Sequence, residues 1–143
     1  MSEAAVIMAG YERILAADFP HAGEIGDDET RVKAVTLRGC HGNTKNVLFL
    51  SFTVEDGCLR GLKYECQYCD VTMYITAELV CELVDGELVD GLGEIGDEEI
   101  AAALGGASKK IARQTRTALR LLAEALAAGL TQTTGDTAAL PPR

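Results

Sequence analysis

Apolar positions change their period several times along this chain, and each change marks an element. Residues about 3–17 place Ile7, Tyr11, Ile14 and Leu15 on one stripe behind a capping Ser2, which predicts a helix ended by Phe19-Pro20. Residues 20–30 carry Gly23, Gly26 and acids and read as a loop. The period then falls towards two. Residues about 31–38 alternate loosely, with Val35 and Leu37 on one face, and 47–54 alternate well, with Leu48, Leu50, Phe52 and Val54 opposite Val47, Phe49, Ser51 and Thr53. Glu55-Asp56-Gly57 is a hairpin signal, and 58–66 return as a third strand with Leu62, Tyr64 and Cys66 on one face.

From Val71 to Val84 the chain is apolar nearly all round, a pattern that predicts a buried helix. Residues 85–97 read as loop. Asp97 is positioned to cap a short helix through Leu104, Gly105-Gly106 breaks it, and about 108–129 form a long helix with Ile111, Ala118, Leu122, Ala125 and Leu126 inward. The expected architecture is α+β: an N-terminal helix, a three-stranded antiparallel sheet, then a helical C-terminal half packed on one face. Residues 1–130 make a single domain, and 131–143, ending in Pro141-Pro142-Arg143, read as a mobile tail.

The composition narrows the function. A chain of 143 residues, 48% hydrophobic, buries a real core, and its net charge of −9 argues against general binding to nucleic acid or anionic membrane. No run of 18 apolar residues predicts a membrane span, and Met1-Ser2-Glu3-Ala4 has no basic region of the signal-peptide kind. The expectation is a cytoplasmic protein, in which five cysteines, an odd number, favour thiols or metal ligands over a disulfide framework.

Geometry sorts those cysteines. Along one strand Cys58 and Cys66 are roughly 26 Å apart, and along a helix Cys81 is about 18 Å from Cys69, so neither Cys58 nor Cys81 joins a common site. Cys81 reads as a core residue and Cys58 as a bystander beside the turn. Cys40 ends strand one and Cys66 ends strand three. In a meander those strands run the same way, so both ends fall at one sheet edge, with Cys69 one short turn further on, at the start of the apolar helix. A helix N-terminus favours a thiolate. Cys40, Cys66 and Cys69 are therefore the candidate ligands, with His41 or Asp70 as the fourth, a donor set that suits zinc or an iron–sulfur centre. His21 sits in the loop with no evident partner. Lys109, Lys110, Arg113, Arg116 and Arg120 form a basic stripe on the last helix, read either as a solvated face or as a docking surface for an acidic partner, with Lys110 near the thiolates lowering their pKa.

The element order, the segment Gly39-Cys40-His41-Gly42-Asn43, the Glu55-Asp56-Gly57 hairpin and Tyr64-Glu65-Cys66 opening a helix resemble the NifU/IscU/SufU family of iron–sulfur cluster assembly scaffolds, over about residues 5–128. That resemblance implies a non-catalytic scaffold or carrier that holds a transient iron–sulfur cluster, or a zinc ion, on three cysteines. It implies a cysteine desulfurase as sulfur donor and iron–sulfur acceptor proteins as partners, and it is compatible with a homo-oligomer. Cys40 matches the first family cysteine and Cys66 the second. Where the family usually has an aspartate two residues after its first cysteine, Gly42 stands here. At the family's third cysteine and the residue before it stand Ile111 and Lys110, and the Pro-Pro segment that chaperones recognise in some members is replaced by Gly105-Gly106-Ala107-Ser108. Cys69 is the residue that compensates for the lost third ligand. The alternatives are a structural zinc protein on the same residues and a thiol redox or sulfur-carrier protein using Cys66 and Cys69.

Overall fold

A helix that is apolar on every side needs cover on every side, and that need organises this protein. The computed structural model describes residues 2–23, 32–38, 47–67 and 70–129, with the backbone alone described for 32–38, 47, 67, 128 and 129. The elements are α1 (Glu3–Ala16), β1 (Val32–Arg38), β2 (Val47–Glu55), β3 (Cys58–Gln67), α2 (Val71–Val84), a 3-10 turn (Val89–Glu94), α3 (Asp97–Leu104) and α4 (Lys109–Gly129). Helix α2 lies between two apolar clusters. Its Met73, Ala77, Val80, Cys81 and Val84 join the larger one, with β2, β3 and α4. Its Ile75 and Leu79 join the smaller one, with Val6 and Ile14 of α1, Ile100 and Leu104 of α3, and Ile111 of α4.

The expected three-stranded sheet with all helices on one face is corrected. What builds the described core is a two-stranded antiparallel hairpin, β2–β3, which supplies Leu48, Leu50, Phe52, Leu59, Leu62 and Tyr64. The backbone of β1 pairs antiparallel with β2, on the far side from β3, but its register slips between Ala34 and Thr36. That slip in the backbone register fits the weak period of the segment. The described core is thus a helix, a hairpin, then helices. Nor are the helices one layer: α2 packs on β3 and α4 on β1, while α1 packs on α2, and α3 on both α2 and α4.

The hairpin is specified locally. Asp56 and Gly57 have φ of 55° and 77°, the doubly left-handed turn whose twist matches the flanking strands. The β2–β3 register changes between Ser51·Lys63 and Thr53·Arg60, so Gly61 and Leu62 together oppose Phe52. Gly61 takes the bulge with φ of 62°. The extra residue reverses the side-chain parity, which is why Leu59 is buried along with Leu62 and Tyr64.

Two further expectations shift by a residue or a face. The buried stripe of α1 is Val6, Gly10 and Ile14, and Leu15 is half exposed. Gly10 is on that face because Leu104 of α3 comes within 3.1 Å of where a Cβ would stand. Helix α3 starts after Gly96, whose N–H donates to Glu99 (2.8 Å), and Asp97 pairs instead with Arg116 of α4. Among the described residues no helix is long and apolar enough to cross a membrane. Residues 24–30 of the loop expected over 20–30, and the tail expected over 131–143, lie outside the described residues.

Candidate functional site

The strand registers set the geometry of the predicted thiol edge. Arg38 pairs with Val47, and Val47 with Gln67, so the ends of β1 and β3 and the start of β2 form one row. Strands are about 4.8 Å apart, which puts positions 38 and 67 roughly 10 Å from one another. Cys66 is one residue inside that row, opposite Leu48, and packs half-buried against the larger cluster. Asp70 then caps α2: its Oδ1 accepts from the Met73 N–H and the Thr72 hydroxyl, both at 3.0 Å. Of the five residues expected to bind a metal or cluster, the structure describes these two; Cys40, His41 and Cys69 lie outside the described residues. Among the described residues no three His, Cys, Asp or Glu side chains are grouped to hold a metal ion.

The two cysteines set aside from the sequence both lie among the described residues. Cys58 is half-buried, at the turn end of the hairpin. Cys81 is fully buried, and burial pushes its thiol well above the usual range, with the charges of Glu78, Asp85 and Glu82 adding to the effect. It is a protonated core group rather than a nucleophile or ligand.

The sequence reading missed a buried carboxylate. Glu78, on α2, is 2% exposed and sits among apolar neighbours. Its Oε2 accepts from the Tyr64 hydroxyl at 2.9 Å and from the His21 backbone N–H at 3.2 Å, and its Oε1 lies 2.8 Å from His21 Nδ1. His21 is held from its backbone as well: its carbonyl accepts from the Tyr64 N–H (2.9 Å), and the Gly23 N–H donates to the Tyr64 carbonyl (2.9 Å). The segment around residue 22 therefore adds a short parallel bridge to β3, and Glu78 ties that bridge to α2. Burial, reinforced by the Glu78 charge, raises the Tyr64 phenol far above its ordinary range, so it remains a neutral donor. Edge-on ring contacts run from Tyr64 through Tyr74 and Phe19 to Tyr11, joining the cluster to α1. Tyr64 is two residues before Cys66 on the same strand, so this network braces the strand that carries the thiol. One sequence signal pointed here: a carboxylate inside an apolar run needs buried donors.

A second carboxylate ties α1 to the start of α4. Glu3 Oε2 accepts from the Ser108 hydroxyl (2.7 Å) and the Lys110 N–H (3.1 Å), while Ser108 Oγ accepts from the Ile111 N–H (3.1 Å), so α1 supplies an anion to the first turn of α4. The Ser108 bond is the largest of the effects that hold the Glu3 carboxyl below its ordinary value of 4.5. A carboxyl lowered on folding stabilises the fold above its unfolded value, and that contribution is lost as pH falls through the folded value. The native protein should therefore be more stable than Glu3→Gln at pH 6, and the gap should close on acidification below 4.5. Thermal melts of both proteins across that range check it, and a gap independent of pH would sink it.

Between α3 and α4 lies a groove of about 420 Å³. Its floor includes Ile100, Leu104 and Ala112, and Lys109, Arg113 and Arg116 line it from α4.

No protein-family model matches the chain, and no curated protein matches it.

Proposed function

We propose that this protein is a scaffold or carrier for iron–sulfur clusters, holding a nascent cluster or metal ion through thiolates at the sheet edge where β1 and β3 end. The observation that supports this most directly is the shared row of Arg38, Val47 and Gln67. It gives the chain on either side of Cys40, and the strand that carries Cys66 and ends at Gln67, a common edge.

The chemistry asked of such an edge is modest. A cluster needs deprotonated sulfur, and ligands near a helix N-terminus are favoured as thiolates. Cys66 stands four residues before the capping Asp70. Cys69 adjoins that cap and supplies the third thiolate in place of the family's missing ligand. His41 or Asp70 completes the set; Asp70 would do so while its Oδ1 caps the helix. The cluster is cargo: sulfide comes from a cysteine desulfurase and the assembled cluster passes to acceptor proteins. Cys58 and Cys81 take no part, Cys81 because burial keeps it protonated.

Anaerobic reconstitution with ferrous iron and sulfide tests the reading. The native chain should develop broad visible absorption, and Cys66→Ser and Cys69→Ser should each lose most of it while keeping the native melting temperature. A colourless protein with stoichiometric zinc would point instead to a closed structural site on the same residues. A chain that binds neither, yet shows a titratable Cys66–Cys69 disulfide, would be a thiol carrier. Unchanged iron and sulfide content in both variants would remove this edge from consideration.

A further inference from the structure

The basic face of α4 lies outside the proposed ligand set, and its surroundings point to a partner. We infer that the groove between α3 and α4 docks an acidic segment of another protein, anchored by an apolar side chain. Lys109, Arg113 and Arg116 recur at spacings of four and three and so share one face of α4. Arg120 extends the row, making it roughly 16 Å long over eleven residues of helix. Four of the chain's 13 Lys and Arg residues thus fall on one stripe, in a protein of net charge −9. An acidic segment is repelled by most of this surface and attracted here, the condition for electrostatic steering.

The floor supplies what charge alone does not. Ile100 and Leu104 are each 1% exposed, and they meet the half-buried Ala112 under the cationic rim. An apolar side chain between two carboxylates would enter the groove while the carboxylates reach Lys109 and Arg113, one helical turn apart. The existing ion pairs do not obstruct this. Arg116–Asp97 and Arg120–Glu124 are between exposed side chains, and such pairs are worth little, so a partner's carboxylates can exchange with them. Asp97 is the one acid lining the groove, already paired at its far end. The length of the stripe favours a peptide over a small anion, which would need only one or two of the four cations.

The test uses the full chain and a fluorescein-labelled peptide with leucines at helical spacing and glutamates between them. Anisotropy should show saturable binding that weakens about tenfold or more as salt is raised from about 20 to about 300 mM. Arg113→Glu, an exposed change that leaves the melting temperature in place, should weaken binding about tenfold or more, the size expected for reversing one rim charge. Ala112→Phe, which fills the floor, should do the same without changing the charge. Amide resonances of residues 97–116 should shift on titration. Absence of binding, native affinity retained in both variants, or shifts elsewhere would overturn the inference. Octanoate shifting these amides where the peptide does not would overturn it too, by making the groove a small-anion site. Cluster loading is unaffected by any of these outcomes, so the two proposals fail separately.

Discussion

Replacing Glu78 by alanine should lower the stability of the protein by about 3–5 kcal/mol, the combined cost of a stranded buried donor and the void left beside it. The carboxylate is 2% exposed and gathers three contacts from two other parts of the chain. Its removal strands the Tyr64 hydroxyl, itself in a residue 1% exposed, and leaves a void beside it. A buried donor without an acceptor costs about 1–3 kcal/mol, and the void adds to that. Glu78→Gln keeps the shape and an acceptor for Tyr64 but loses the charge, so about 1–3 kcal/mol is expected. Tyr64→Phe removes only one of the three contacts and should have the smallest effect. The double variant Glu78→Gln/Tyr64→Phe should lose less than the sum of the singles, with a coupling of about 0.5–3 kcal/mol. Urea unfolding of the four proteins measures each quantity. A Glu78→Ala midpoint within error of the native one would mean that the network contributes nothing to stability.

That network also marks where reading along the chain stops working. Local chemistry was legible: the Asp56-Gly57 turn, the helix from Val71 to Val84 and the Ser2 cap follow from neighbours in sequence. The all-round apolar character of α2 was legible too, and its cause is now plain, since one side meets the hairpin cluster and the other meets α1 and α3. What was not legible depends on residues far apart. Glu78 and His21 are 57 positions apart, and nothing near His21 announces a partner. The Gly61 bulge turns Leu59 inward against a strict two-residue alternation. Gly10 is buried because another helix comes close, and a search for apolar side chains passes over a glycine. The regular three-stranded sheet was an over-reading of β1, whose weak alternation signalled the slip near Val35.

The candidate sites divide in the same way. The edge shared by the ends of β1 and β3 follows from strand order; the cap at Asp70, read along the chain only as a candidate ligand, came from the structure, and Cys40, His41 and Cys69 lie outside the described residues. The basic stripe of α4 was visible as a spacing. Its apolar floor was not, because Ile100 and Leu104 come from α3, and only packing puts them under the rim.

Raising the pH above about 9 should destabilise the protein through two groups that the fold keeps protonated. Cys81 and Tyr64 are 0% and 1% exposed, and burial raises both above their ordinary values of 9.0 and 10.0. The sign follows from proton counting. Above those ordinary values the unfolded chain releases protons that the folded chain retains, so the unfolded state binds fewer and stability falls as pH rises. The contribution is whole below pH 9 and is lost at about 1.4 kcal/mol per pH unit for each group above its own ordinary value. One proton is at stake between about pH 9 and 10, and two above that, so the slope should roughly double. Denaturant unfolding of the native protein and of Cys81→Ala, at steps from pH 8 to 11, separates the two groups. The alanine variant starts from a lower stability, because a small core cavity replaces the thiol, but its decline should begin about one pH unit later. Parallel curves would mean that Cys81 ionises as readily folded as unfolded. That result would place its thiol in contact with water and remove burial as the reason it stays protonated.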